Sequence, residues 1–200
     1  MRADAEALLA PGRRRILGLV GAPGSGKSML AGLMQRALAP RAVVVPMDGF
    51  HLANAELQRL GRADRKGAPD TFDAAGFVAL LRRVREASAG ETVYAPAFRR
   101  EIEEPVAGSI AVPPEVPLVV VEGNYLLLSG AWSPVRLLLD ESWYLDTPDD
   151  VRDRWLLDRH VRFGRSTEQA RTWIDHTDAP NARTIAATRG RATRIIAWPA

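Results

Sequence analysis

Gly21-Ala22-Pro23-Gly24-Ser25-Gly26-Lys27-Ser28 is the stretch on which the reading of this chain turns. It fits the G-x-x-x-x-G-K-[ST] pattern of a phosphate-binding loop, and its flanks suit that chemistry. Ile16 to Val20, just before it, is an apolar run of β type, and a helix is predicted after it to about Leu38, with Pro40 beyond its end. In such a loop the glycines let backbone N–H groups turn around phosphate oxygens, and the helix N-terminus adds its positive dipole end. Gly21, Gly24, Ser25, Gly26, Lys27, Ser28 and the adjoining Met29 are thereby candidate nucleotide contacts. Lys27 is expected to reach the β and γ phosphates and Ser28 to ligate Mg²⁺.

Outward from the loop, apolar β-type runs alternate with amphipathic stretches, the pattern of a parallel sheet covered by helices on both faces. Val43 to Val45 is a second short strand. Asp73 starts a helix to Ser88 that carries Phe77, Leu80, Leu81 and Val84 on one face. Tyr94 to Val112 is rich in proline and interrupted, so Val106 and Ile110 to Val112 read as edge strands or a hairpin. Leu118 to Val121 suits a central strand buried on both faces, and Ser142 to Leu145 another strand. Thr147 as N-cap with Pro148 at the first helical position predicts a helix to about Phe163. Ser166-Thr167-Glu168-Gln169 is a capping box for a further helix to about His176, and Arg194 to Trp198 supplies a last strand. With no break in composition, residues 1–200 read as one domain, with a lid at about 150–176 and an insertion over the site at about 90–114.

Two acids stand where such a sheet would place chemistry. Glu122 follows the apolar run of Leu118 to Val121, and a buried strand beside the loop strand delivers a carboxylate next to a metal ion. Asp48 follows Val45-Pro46-Met47 at the carboxyl edge, where ligands of open α/β sheets bind, and is a candidate general base.

Five motifs in order then resemble one family. They are the loop itself, Met47-Asp48-Gly49-Phe50-His51, Arg65-Lys66-Gly67-Ala68-Pro69-Asp70-Thr71-Phe72-Asp73, Tyr94-Ala95-Pro96-Ala97-Phe98 and Val121-Glu122-Gly123-Asn124-Tyr125. Their order is similar to that of the phosphoribulokinase/uridine kinase family over about residues 14–196, near the bacterial pantothenate kinases. The resemblance implies the P-loop NTPase fold of nucleoside kinase-like proteins and an ATP- and Mg²⁺-dependent kinase. Within it Asp48 would activate the acceptor hydroxyl and Glu122 would sit near the metal. Asp48, His51, Lys66, Asp70, Tyr94, Arg100, Glu122 and Tyr125 would surround the acceptor. The run Arg154, Arg159, His160, Arg162, Gly164 and Arg165 resembles the family's lid, with Arg159 and Arg162 acting on the phosphates. Asp178-Ala179-Pro180-Asn181-Ala182-Arg183, followed by Thr188-Arg189-Gly190, resembles the loop on the adenine side, with Arg189 a nucleotide contact. Phe98-Arg99-Arg100 departs from the family, where an aromatic is followed by Asp-Arg.

Composition narrows the alternatives. Lys plus Arg number 27 against 24 Asp plus Glu, a net charge of only +3, and no basic tail indicates nucleic acid. The absence of cysteine excludes a Cys-based zinc site and disulfides. Met1 to Pro11 lacks the apolar stretch of a secretion signal and no run could span a bilayer, so a soluble cytoplasmic protein with a small-molecule substrate is expected. The competing reading is a regulatory nucleotide-binding module or slow ATPase. A homodimer is compatible with the resemblance, but no interface pattern in the sequence specifies one.

Overall fold

The computed structural model describes residues 2–9 and 13–198; part of the Met1 to Pro11 stretch and the end of the chain lie outside the described residues. The chain runs α1 (Arg2–Ala7), β1 (Arg15–Val20), α2 (Lys27–Leu38), β2 (Ala42–Pro46), α3 (Asn54–Arg59), α4 (Ala74–Glu86), β3 (Val93–Arg99) and β4 (Glu104–Val112). It continues through β5 (Leu118–Gly123), α5 (Ser133–Leu138), β6 (Glu141–Asp146), α6 (Asp149–Arg162), α7 (Thr167–Trp173), α8 (Ala179–Ala186) and β7 (Arg194–Ala197). Five strands form one parallel sheet in the order β2-β5-β1-β6-β7. No helix among the described residues is long and apolar enough to cross a membrane.

The uninterrupted apolar runs follow from burial on both sides. On β1, Ile16 and Val20 join the core on one face while Leu17 and Leu19 join the core on the other. On β5, Val119 and Val121 face the first core, and Leu118 and Val120 the second. The strand alternates as every strand does, but both sides are dry, so its middle is apolar and the acid comes only at its carboxyl end. Helix α2 closes the second core through Leu30, Ala31, Met34 and Leu38, and α4 closes the first through Phe77, Leu81 and Val84.

Register aligns the carboxyl ends of three strands. Glu122 pairs across with Leu19 of β1 on one side and Pro46 of β2 on the other. The phosphate-loop candidate after β1, Asp48 after β2 and Glu122 at the end of β5 therefore share one edge, where the chain order switches direction.

The insertion at 90–114 is an antiparallel hairpin, β3 with β4, with a register shift between Ala95 and Ala97. An isolated hairpin is marginal in water, and this one is anchored by Val93, Ala95 and Val112 in the core. Its strand β3 also rests on the Asp48-Gly49 turn: a Cβ on Gly49 would collide with the Pro96 carbonyl oxygen. Glycine at 49 is what lets the hairpin close onto the candidate base.

Two helix boundaries differ from expectation. Thr147 does not cap α6; Pro148 holds that position, and the Thr147 hydroxyl donates to the Ser25 carbonyl at 2.9 Å. The capping box of Ser166 and Gln169 forms as expected, but the helix does not end near His176. A π-helical turn, Ile174–Asp178, runs straight into α8, so the segment expected as an adenine-side loop is helical. Pro180 lies in the first turn of α8, where its missing N–H has no intrahelical partner to lose. Helices α1, α3 and α5 are six residues each, too short to announce themselves by periodicity.

Candidate active site

The glycine-rich loop is framed by the protein on its acceptor side. Lys27 Nζ donates to the carbonyls of Gly21 (2.9 Å) and Ala22 (3.0 Å), Arg152 Nη1 to that of Pro23 (3.0 Å), and Thr147 to that of Ser25. The amides that open α2 have no intrahelical acceptor and remain donors for an anion. Gly26 begins α2 with a φ of 83°, the left-handed region that glycine alone adopts without strain. A Cβ there would also lie 2.5 Å from Trp198 Nε1 and 3.1 Å from Trp155 Cζ3. Two indoles thus close on the loop, and the Trp198 Nε1 donor is buried without a partner. An orphaned donor beside a ring of unpaired amides is a setting that fits a nucleotide.

Behind the loop stands the polar cluster that the strand ends bring together. The Ser28 hydroxyl donates to Glu122 Oε1 at 2.9 Å, although the residues are 94 apart in sequence. Glu122 is buried, and burial, followed by the nearby Asp48 charge, raises its carboxyl above the usual range, with Lys27 opposing. Lys27 is pushed down to about 8, first by burial, with Glu122 and Asp48 opposing. A hydroxyl and one carboxylate fit Mg²⁺, which keeps most of its shell as water and substrate phosphate and asks few ligands of the protein. No cluster of three or more acidic, His or Cys side chains able to hold a metal occurs among the described residues.

A cleft of about 350 Å³ opens in front of this cluster, lined on the loop side by Gly24, Lys27 and Ser28 and beyond them by Asp48, Glu122 and Asn124. Asp48 keeps a long ion pair, 3.8 Å, with Arg100. His51 Nδ1 donates to the Asp48 carbonyl at 2.8 Å, which leaves Nε2 as an acceptor in the neutral ring. Burial lowers the His51 pKa and keeps it in that neutral form. Its ring lies 4.0 Å from Phe72 and 4.7 Å from Phe98, centroid to centroid. Arg159, from α6, reaches the same cleft.

The model of the "Phosphoribulokinase / Uridine kinase family" matches residues 16–194. The chain belongs to this family. It is 36% identical over 186 residues to a Schizosaccharomyces pombe protein named "Putative uridine kinase", covering 87% of this chain and 79% of that one. It is 32% identical to a pantothenate kinase of Corynebacterium glutamicum over 74% of this chain, which spans about half (47%) of that relative's length. Among solved structures, a "putative fructose transport system kinase" from Silicibacter sp. matches at a TM-score of 0.88 and 36% identity, covering 99% of this chain and 98% of that one. The chain is accordingly a kinase with the nucleotide-binding P-loop fold.

Within the family's motifs the structure separates residues that meet from residues that do not. Gly24, Lys27, Ser28, Asp48, His51, Lys66, Arg100, Glu122 and Arg159 converge on the cleft, with Gly21, Ser25 and Gly26 as the frame of the loop. Met29 is half exposed on α2 and does not line the cleft. Arg162 is exposed on α6, three positions and most of a turn beyond Arg159, and does not line it either. Asp70 is exposed and tied to Arg65 (2.6 Å) and Arg62 (3.5 Å), which makes it a loop residue. Tyr94 points from β3 into solvent at 57% exposure, the outward alternate of buried Val93 and Ala95. Tyr125 is wholly buried, and its hydroxyl donates to the Gly67 carbonyl, so it holds the backbone next to Lys66. Arg189 pairs with Asp146 at 2.8 Å and lines a separate cavity beside Arg152 and Arg183.

The helical form of 179–186 also redistributes the segment expected near adenine. Asp178 and Asn181 face the main cleft, whereas Ala182, Arg183 and Ala186 face the second cavity. Asp178 accepts from His160 Nε2 at 2.8 Å, and Arg165 donates to His160 Nδ1 at 2.9 Å while lying 4.0 Å over Trp173. This chain of contacts ties α6 to the π turn. His160 and Asp178 are 18 residues apart, and nothing local in sequence pairs them.

Proposed function

We propose that the protein transfers the γ-phosphoryl group of ATP to a hydroxyl of a small molecule. One observation carries the reading: Asp48 stands in the cleft in front of the Lys27, Ser28 and Glu122 cluster, held between the hairpin and the strand edge. A phosphate acceptor needs no base, while a hydroxyl acceptor does.

Lys27 turns from the Gly21 and Ala22 carbonyls to the β and γ phosphates, and the amides opening α2 hold the same oxygens. Ser28 and Glu122 would hold Mg²⁺, which would supply positive charge against the charge that develops on the transferred group. Asp48 takes the hydroxyl proton as that oxygen bonds to the γ phosphorus and the bond to the β,γ-bridging oxygen breaks, leaving ADP. Arg159 supplies positive charge from the lid segment, 150–176, whose closure would exclude water. Residues 1–200 act in this reading as one domain.

The test is ADP release from Mg-ATP against nucleosides, sugars, glycerate and pantothenate, with Lys27→Ala protein as the blank. A hydroxyl compound that raises release well above the blank and emerges phosphorylated is the expected result. ATP binding without stimulation by any of them would end the kinase reading in favour of a nucleotide-switched regulator.

A further inference from the structure

Lys66 and Arg100 share one wall of the cleft, their charged ends 5.2 and 5.9 Å from the centroid of the same Phe98 ring. They come from different segments, the loop after α3 and the hairpin turn, and both line the cleft that holds Asp48. Neither charge has a carboxylate within hydrogen-bond length. Lys66 Nζ donates to Asn54 Oδ1 and to the Glu103 carbonyl, both at 2.5 Å and both uncharged, which leaves one of its three donors unused. Arg100 has Asp48 at 3.8 Å, beyond hydrogen-bond length. Its guanidinium is steadied instead by aromatic rings, with Phe163 of the α6 end at 5.6 Å in addition to Phe98.

The acids near this wall are otherwise placed. Glu104 accepts from the Asn54 amide at 2.9 Å, and Asp178 is held by His160. Glu103 hydrogen-bonds Lys66 through its backbone carbonyl, and the Glu103 and Glu104 carboxylates act on Lys66 through space without a direct contact. A lysine fixed by neutral acceptors and an arginine fixed by rings, both facing a cleft, are pre-positioned cations with donors left for a further anionic partner. For a neutral polyol this arrangement would be a cost, since two partly desolvated charges would face an uncharged guest.

We propose, resting on the kinase reading above, that the acceptor carries an anionic oxyacid group, carboxylate or phosphate, which Lys66 and Arg100 bind while its hydroxyl lies at Asp48. The substrate class is then a hydroxy acid or a sugar phosphate in preference to a free sugar or nucleoside.

Matched pairs test this: glycerate against glycerol, pantothenate against pantothenol, and a pentose or hexose phosphate against the free sugar. Binding is measured by titration calorimetry with the wild-type protein and with Lys66→Met, Lys66→Arg and Arg100→Met, and turnover by ADP release. At least one anionic member should bind about 10- to 100-fold more tightly than its neutral partner, the range of a charge-assisted contact. Lys66→Met and Arg100→Met should erase most of that ratio, raising KM for the anion more than they lower kcat, and Lys66→Arg should restore part of it. Whether the carboxylate or the phosphate arm responds names the source. Equal or weaker binding of every anionic member, or a ratio unchanged in both Met variants, overturns the proposal. Selective anion binding without any phosphorylation would instead leave the anion site standing and remove the kinase reading on which the substrate role rests.

Discussion

The two halves of the cleft are built on different principles. The loop half is backbone: four carbonyls within Gly21 to Ser25 are tied to Lys27, Arg152 and Thr147, and the opening amides of α2 have no intrahelical acceptor. Its recognition elements come from eight consecutive residues. The acceptor half is side chain: Asp48 from the end of β2, Lys66 from the loop before α4, Arg100 from the hairpin and Arg159 from α6. A backbone cradle can be specified by a contiguous motif and serves any nucleoside triphosphate. A cleft assembled from four distant segments can change its guest by altering one side chain, without touching the fold.

The largest effects should distinguish Arg159 from Arg162 on α6, which the sequence does not separate. Arg159→Ala should lower kcat by about 10³- to 10⁵-fold if its guanidinium acts on the transferred group. Arg162→Ala, at an exposed position, should stay within a few-fold of wild type; steady-state kinetics of the pair decide it, and the reverse ranking would move the lid contact to Arg162.

Asp48→Asn separates the halves directly. Turnover should fall by about 10²- to 10⁴-fold while ATP affinity, measured by titration, changes little. A folded variant with wild-type turnover would remove Asp48 as the base.

Gly26→Ala attacks the other half. The positive φ and the contact with Trp198 should cost about 1 to 3 kcal/mol of stability, read as a lower denaturation midpoint, and weaken ATP binding regardless of acceptor.

The pH response should also come from the loop half. Burial holds Lys27 at about 8, so its charge is lost as pH rises through that value in the nucleotide-free protein. The alkaline limb of kcat/KM for ATP should therefore fall near pH 8. Linkage gives the opposite sign for folding: between about 8 and 10.5 the unfolded chain still holds the proton, so stability attributable to Lys27 rises with pH across that window. Urea titrations at pH 7.5 and 9.5 on wild type and Lys27→Met would read the difference.

The smallest effect belongs to Asp70→Ala. Its pairs with Arg62 and Arg65 are exposed and should be worth about 0 to 1 kcal/mol, with no loss of acceptor preference.

Much of the fold and of the loop half is legible in the sequence. Glu122 and Ser28 can be assigned to one cluster because a strand with both faces buried has to lie inside the sheet, and its end has to meet the loop. Asp48 is legible because it follows a strand at the carboxyl edge of the sheet, where ligands of α/β folds bind. Tyr94, Asp70 and Tyr125 point to the acceptor by motif alone, and in the fold those residues serve the hairpin's outer face, a surface loop and the core. Residues 178–183 read as a loop by resemblance to the family's adenine side, yet they open a helix, and a proline in the first turn leaves one intact.

Sequence by itself determined the phosphate loop, the parallel sheet and the acids at its edge, because each depends on local pattern: glycine at a left-handed turn, apolar runs buried on both faces, a carboxylate at a strand end. Only the tertiary structure decided which cations share the acceptor wall, that His160 meets Asp178, and that Trp155 and Trp198 both close on Gly26. Those contacts are set by how helices and hairpin pack across the sheet, and packing joins residues whose separation along the chain carries no signal.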